Sequence, residues 1–338
     1  MTKDQVREIL SYPPHLCEGY WRVQAIKAAD EEFLPRLREV FADPEEGYQV
    51  NLAAAEALLR LGDSTVERVA YDPKPRHPSV RVAAVQAMGD RYSPTPDVAA
   101  QTLREVWGQG SVEIKRRFID VAAVRGIDSI IVDTLLELVD FQRDDSRVLE
   151  RVVELLLQTR GRDAAPMFAR AFEEVRDTPY LALIYIRAIG EAGDPNYFDL
   201  IASYPDYVRQ SAPHYYLDAL AAVIGVAGRL GQFSWLMAIG DRDLFSARTA
   251  WLRALGEIAR QQPEHKEEIV AILRSYLIPR ELGSTALFRG SLGNLVPTSR
   301  VEHPPGARVE EPESNRVPCH DAALEVLQSL GEEMEVQP

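Results

Sequence analysis

The sequence predicts an all-α fold, a right-handed α-α superhelix (alpha-solenoid) of about nine stacked helical hairpins with one long insertion near the C-terminus. Three observations predict it. An apolar register of helical period recurs through the chain, turn residues stand between and after its copies, and no stretch alternates apolar and polar residues over a strand length between hairpin signals. The clearest copy runs from Ser79 to Asp90, where Val80, Ala83, Ala84, Ala87 and Met88 fall at i, i+3, i+4, i+7 and i+8, one face of a helix.

Each copy carries one residue just after its leading apolar position, and Arg81 fills that slot here. The same template fits Ala247, Ala250, Trp251, Ala254 and Leu255, with Arg248 in the slot and Gly256 following at the distance at which Gly89 follows Arg81. Further copies place Arg22, Asn51, Lys115, Ala182, Leu217 and His320 there. In the fifth copy the lettering Asp-Ser-Arg-Val would choose Arg147, but Leu149, Val152, Val153, Leu156 and Leu157 set the phase and put Glu150 in the slot. Successive slots stand 29, 30, 34, 35, 32, 35 and 31 residues apart, and the last gap of 72 is one repeat plus an insertion. Copies close on runs such as Leu61-Gly62-Asp63 and Ala192-Gly193-Asp194-Pro195, where glycine can take the left-handed conformation that ends a helix.

A second apolar register lies between the slots, in Phe33, Leu34, Leu37, Val40 and Phe41, in Val98, Thr102, Leu103, Val106 and Trp107, and in Ile269, Ile272, Leu273, Tyr276 and Leu277. Each unit is therefore predicted to be a helical hairpin. Its two helices are separated by turns such as Asp43-Pro44-Glu45-Glu46-Gly47, where proline stops one helix and presets the entry to the next. The chain resembles the HEAT-repeat family, whose units carry an Asp-Pro turn, then Val-Arg, and an alanine-rich second helix ending Leu-Gly-Asp. Asp63, Asp90 and Asp194 fit that close. The resemblance covers the chain from about Trp21 to Leu330 and implies an armadillo-like solenoid. It leaves function open, because the family spans adaptors, transport receptors and a few enzymes.

A single body over residues 1–338 is expected, with an irregular insertion at 279–318 and an acidic tail at 332–338. Prolines and glycines from Pro279 to Pro318 interrupt any helix, while Leu282, Leu287, Phe288, Leu292, Leu295 and Val296 give the first half of the insertion apolar character.

The composition is 46% hydrophobic and 27% charged, as in globular chains, and no apolar run approaches the ~18 residues of a membrane span. The first residues lack a signal-peptide core, so a cytoplasmic location is expected. Two cysteines, Cys17 and Cys319, give neither a disulfide framework nor a CxxC pair. A formal charge of -14 opposes the counterion-release contribution to nucleic-acid binding and suits a protein partner with a basic surface.

No catalytic or cofactor motif stands out. The six histidines show no i, i+3 or i+4 pairing and no His-Glu dipeptide of the metal-dependent enzyme branch of the family occurs, so no metal is expected. Gly225, Gly228 and Gly231 lack the strand and lysine of a phosphate loop, and no cofactor is expected. Cys319-His320-Asp321 places a thiol, an imidazole and a carboxylate in a row, yet successive residues on a helix point in different directions. Two candidate surfaces stand open. One is the tyrosine-rich stretch from Tyr204 to Tyr216 between two helices, with Tyr207, His214 and Tyr215 as contact residues; its alternative reading is that these side chains cover a turn. The other is a basic ladder of Arg22, Arg81, Lys115 and Arg248, whose alternative reading is ion pairing with acids of adjoining repeats. The expected function is a non-enzymatic protein-protein interaction scaffold with a concave helical surface. The alternative is an enzyme resembling the HEAT-like bilin lyases or DNA glycosylases.

Overall fold

In a computed structural model of the chain the described residues are 2, 4–7, 33–72, 74, 76–125, 128–239, 245–277 and 317–332. They form helices and turns, with no strand among them. No helix of the described residues is long and apolar enough to cross a membrane. Arg22, Cys17, residues 279–316 of the expected insertion and residues 333–338 of the expected tail lie outside the described residues, while Val317 and Pro318 already belong to the final helix. The chain divides into two compact units, Met1–Gly161 and Arg162–Pro338.

In the first unit the helices are α1 (Phe33–Ala42), α2 (Tyr48–Arg60), α3 (Thr65–Ala70), α4 (Pro78–Met88), α5 (Pro96–Gln109), α6 (Val112–Arg125), α7 (Asp128–Leu138) and α8 (Ser146–Arg160). Helices α1, α3, α5 and α7 make a first layer, and α2, α4, α6 and α8 make a second in which each helix packs on the next. The entries to several of these helices are written in the sequence. Asp43 accepts a hydrogen bond from the Glu45 amide ahead of a 3-10 turn, and Asp145 accepts one from the Arg147 amide at the start of α8. That cap is why the Asp-Ser-Arg-Val lettering marks a helix start rather than the slot. Leu149, Val152, Val153 and Leu156 are buried, and Glu150 is exposed.

In the second unit the helices are α9 (Ala165–Glu174), α10 (Pro179–Ala192), α11 (Phe198–Ala202), α12 (Tyr204–Ser211), α13 (Tyr216–Arg229), α14 (Phe233–Ala238), α15 (Phe245–Gln261), α16 (Lys266–Ser275) and α17 (Val317–Ser329). Here α10, α13, α15 and α17 pack in succession as the second layer. The stretch Tyr204–Tyr216, read from sequence as a connection, is largely helical: α12 runs through Ser211 and a 3-10 turn follows at Pro213–Tyr215. The final helix begins at Val317, two residues before Cys319.

Two glycine expectations separate. Gly62, Gly89 and Gly193 take positive φ of 73°, 59° and 75° and close helices as predicted. Gly256 instead lies inside α15, where a Cβ would stand 2.5 Å from Cγ1 of Val326 on α17. It is a close-packing glycine rather than a cap. A further correction concerns α4. Its apolar register predicts one buried face, but Val82, Val85 and Arg81 are as buried as Ala83 and Ala84, because α2, α3, α5 and α6 all pack on it.

Candidate functional site

The slot residues come first, since they position everything else. Asn51, Arg81, Lys115, Ala182, Arg248 and His320 are each the fourth residue of a second-layer helix. From there a side chain can reach back to the C-terminal end of the preceding first-layer helix, whose last carbonyls lack helical partners. Asn51 does so: its Nδ2 donates to the carbonyls of Val40, Phe41 and Asp43 at 3.2, 3.2 and 2.9 Å. Arg81 donates to the carbonyls of Val69, Ala70 and Lys74 at 2.6, 3.3 and 2.8 Å, and to both carboxylate oxygens of Glu105 on α5 at 3.1 Å.

Arg81 is 0% exposed and Glu105 8% exposed. This corrects the reading of Arg81 as a partner-binding cation, since its guanidinium has no surface left to offer. Lys115 is mostly buried as well. Its Nζ lies 3.0 Å from Oδ1 of Asp144 and 5.2 Å from the Trp107 ring centroid. Arg248 is half-buried in the first turn of α15.

Ala182 and Leu217 carry no donor, and the second unit completes the same carbonyls differently. The Tyr204 hydroxyl donates to the Arg176 carbonyl just past α9, at 3.2 Å, and Trp251 Nε1 donates to the Leu236 carbonyl in α14, at 2.8 Å. Tyr204 is therefore a structural anchor. Its ring meets Phe172 edge-on at 5.2 Å and stacks on Tyr207 at 6.1 Å, and burial pushes its hydroxyl up to about 12.

The three tyrosine-segment candidates differ in what they present. The Tyr207 ring stacks on that of Tyr204 and has the Arg176 guanidinium 4.7 Å from its centroid, and its hydroxyl donates to Asp177. That hydrogen bond holds the Tyr207 hydroxyl above its ordinary range. His214 is exposed and Tyr215 half-buried, with ring centroids 4.4 Å apart, and Arg209 lies 4.8 Å over the ring of Tyr216. Most of these ring faces are thus already covered.

What the sequence reading missed lies beside this segment. Among the described residues of the second unit, Tyr180, 53% exposed, and Leu217, 38% exposed, are the large apolar side chains presented to solvent. Both are second residues of adjacent second-layer helices, α10 and α13. The available signal was phase: the buried positions Leu181, Ile184, Tyr185 and Ala188 define the apolar register of α10, and Tyr180 falls outside it.

The cysteine triplet is split by the helix. Cys319 is buried, 3.8 Å from Oγ1 of Thr249, whereas His320 and Asp321 are exposed. Among the described residues no group of three or more His, Cys, Asp and Glu side chains is placed to hold a metal ion. No family model, no curated protein and no solved structure matches the chain.

Proposed function

We propose that the chain is a non-enzymatic interaction scaffold built from HEAT-type hairpins, cytoplasmic, whose partner is a protein with a basic surface. The observation that carries this reading is the division of labour in the second unit. The aromatic and charged groups of the tyrosine segment are engaged in holding hairpins together, while Tyr180 and Leu217 are presented outward from neighbouring helices. Exposed aromatic and aliphatic side chains on rigid helices are the usual anchors of protein contacts. Stacked hairpins support the solenoid reading, because within each unit successive second-layer helices pack on one another, as in repeat architectures. The net charge of -14 supports a basic partner surface.

Cross-linking of the tagged full chain in the cell that makes it, followed by mass spectrometry, tests the proposal. A stoichiometric protein partner, cross-linked to second-layer helices and released by salt, is the expected result. A chain that carries no protein but copurifies with a pigment, or that releases bases from duplex DNA, would overturn it.

A further inference from the structure

Deepening the scaffold reading, on which it rests, we infer that the outward face shared by α10 and α13 is a docking trough for an amphipathic helix of the partner. The two helices run side by side in the same direction. Their C-terminal parts are joined where Gly190 meets Val226, a Cβ there standing 2.6 Å from Cγ2, and where Arg229 reaches Glu191 at 3.3 Å. Their N-terminal ends are tied through α12, whose Tyr207 holds Asp177 and whose Arg209 covers Tyr216.

One end of this face carries the exposed Tyr180 and Leu217, and the Glu191–Arg229 ion pair closes the other. Between them the surface of α13 includes Ala222 and Gly225, both half-buried. Gly225 has ordinary helical backbone, and a Cβ built on it meets nothing within 4 Å. Glycine inside a helix destabilises by about 1 kcal/mol relative to alanine, and no contact of the described residues requires it there. It differs in this from Gly190 and Gly228, whose neighbours leave no room for a side chain. An incoming backbone could approach closely at Gly225.

Charge selects the occupant. Arg187, on the exposed stripe of α10 that also holds Tyr180, and Asp218, in the first turn of α13, are both exposed, and neither has an ion-pair partner among the described residues. A helix whose apolar face covers Tyr180 and Leu217, and which carries an acid toward Arg187 and a base toward Asp218, satisfies both. A nucleic-acid backbone, of one charge sign, does not.

The test uses the intact protein and a phage-displayed random peptide library. Enriched peptides are then measured by fluorescence anisotropy on wild type, Gly225→Leu and Arg187→Glu. Leucine at 225 fills open space with a better helix former, so Gly225→Leu melts no lower than wild type and remains a fair probe. The expected result is peptides with apolar residues at helical spacing, a carboxylate and a lysine or arginine, binding Gly225→Leu about tenfold more weakly or worse. Arg187→Glu should select lysine or arginine where wild type selects the carboxylate. Peptides indifferent to both substitutions, or no enrichment on wild type, would overturn the trough. A Gly225→Leu chain that still captures its protein partner in cells would keep the scaffold reading and discard this surface.

Discussion

The two units build the same hairpin stack but join it differently at several equivalent places. In the first, slot side chains bind the preceding helix end and the next hairpin through buried polar contacts: Asn51 to three carbonyls, Arg81 to three carbonyls and Glu105, Lys115 to Asp144. In the second, the slots at Ala182 and Leu217 carry no donor. Cohesion there comes from glycines that let second-layer helices touch, Gly190 against Val226, Gly228 against Ala254 and Gly256 against Val326, and from the hydroxyl and indole donors of Tyr204 and Trp251. A repeat pattern therefore specifies where hairpins meet and not what joins them.

The largest expected effect is on the polar side. Arg81→Leu leaves Glu105 buried without its ion-pair partner and removes the guanidinium donors from three carbonyls, and should destabilise by about 3–5 kcal/mol in a denaturant titration. Adding Glu105→Leu should recover much of that loss, since the double variant buries no orphaned charge. Absence of recovery would mean that Arg81 acts through packing alone.

On the apolar side, Gly228→Ala places a methyl 2.7 Å from both Cα and Cβ of Ala254. Backbone must move, at about 1–3 kcal/mol. Gly225→Ala, three residues away on the same helix but over open space, should stabilise by up to about 1 kcal/mol. Equal responses at the two positions would remove the glycine contact from the comparison. Tyr204→Phe deletes only the hydroxyl that reaches the Arg176 carbonyl, and about 1 kcal/mol is expected.

Much of this was legible in the sequence, and the limits have physical causes. The apolar registers located α2, α4, α6, α8, α10, α13, α15 and α17, since burial of one stripe is what makes such helices form. The lettering also marked real caps at Gly62, Gly89 and Gly193. Periodicity does not distinguish a helix buried on one side from one enclosed by four neighbours, so the burial of α4 was not visible. Nor does spacing tell a capping glycine from one at a helix crossing, because the difference at Gly256 is made by Val326, 70 residues on. The internal partners of Tyr204 and Tyr207 were out of reach of spacing for a related reason: they are Arg176 and Asp177, on another hairpin.

The smallest expected effect is on pH dependence. Arg162 and the Asn196 amide hydrogen-bond Asp194 and hold its carboxyl below the usual range. At Asp63 burial pushes the other way, and hydrogen bonds from Arg38 and Thr65 outweigh it to the same effect. A carboxylate with a lowered folded-state pKa stabilises above its ordinary value near ~4, and that contribution is lost as pH falls through the folded value. Melting temperature should therefore drop between about pH 4 and pH 2, and Asp63→Asn and Asp194→Asn should each flatten that acid limb. Curves that superimpose on wild type would remove these two acids from the account.

Hydrogen–deuterium exchange by mass spectrometry on Arg81→Leu and Gly228→Ala, beside wild type, tests the contrast between the units most directly. The account predicts that Arg81→Leu loses protection most in α3, α4 and α5, the helices its guanidinium joins, and that Gly228→Ala loses it most in α13 and α15. Loss spread evenly over all second-layer helices in both variants would contradict it.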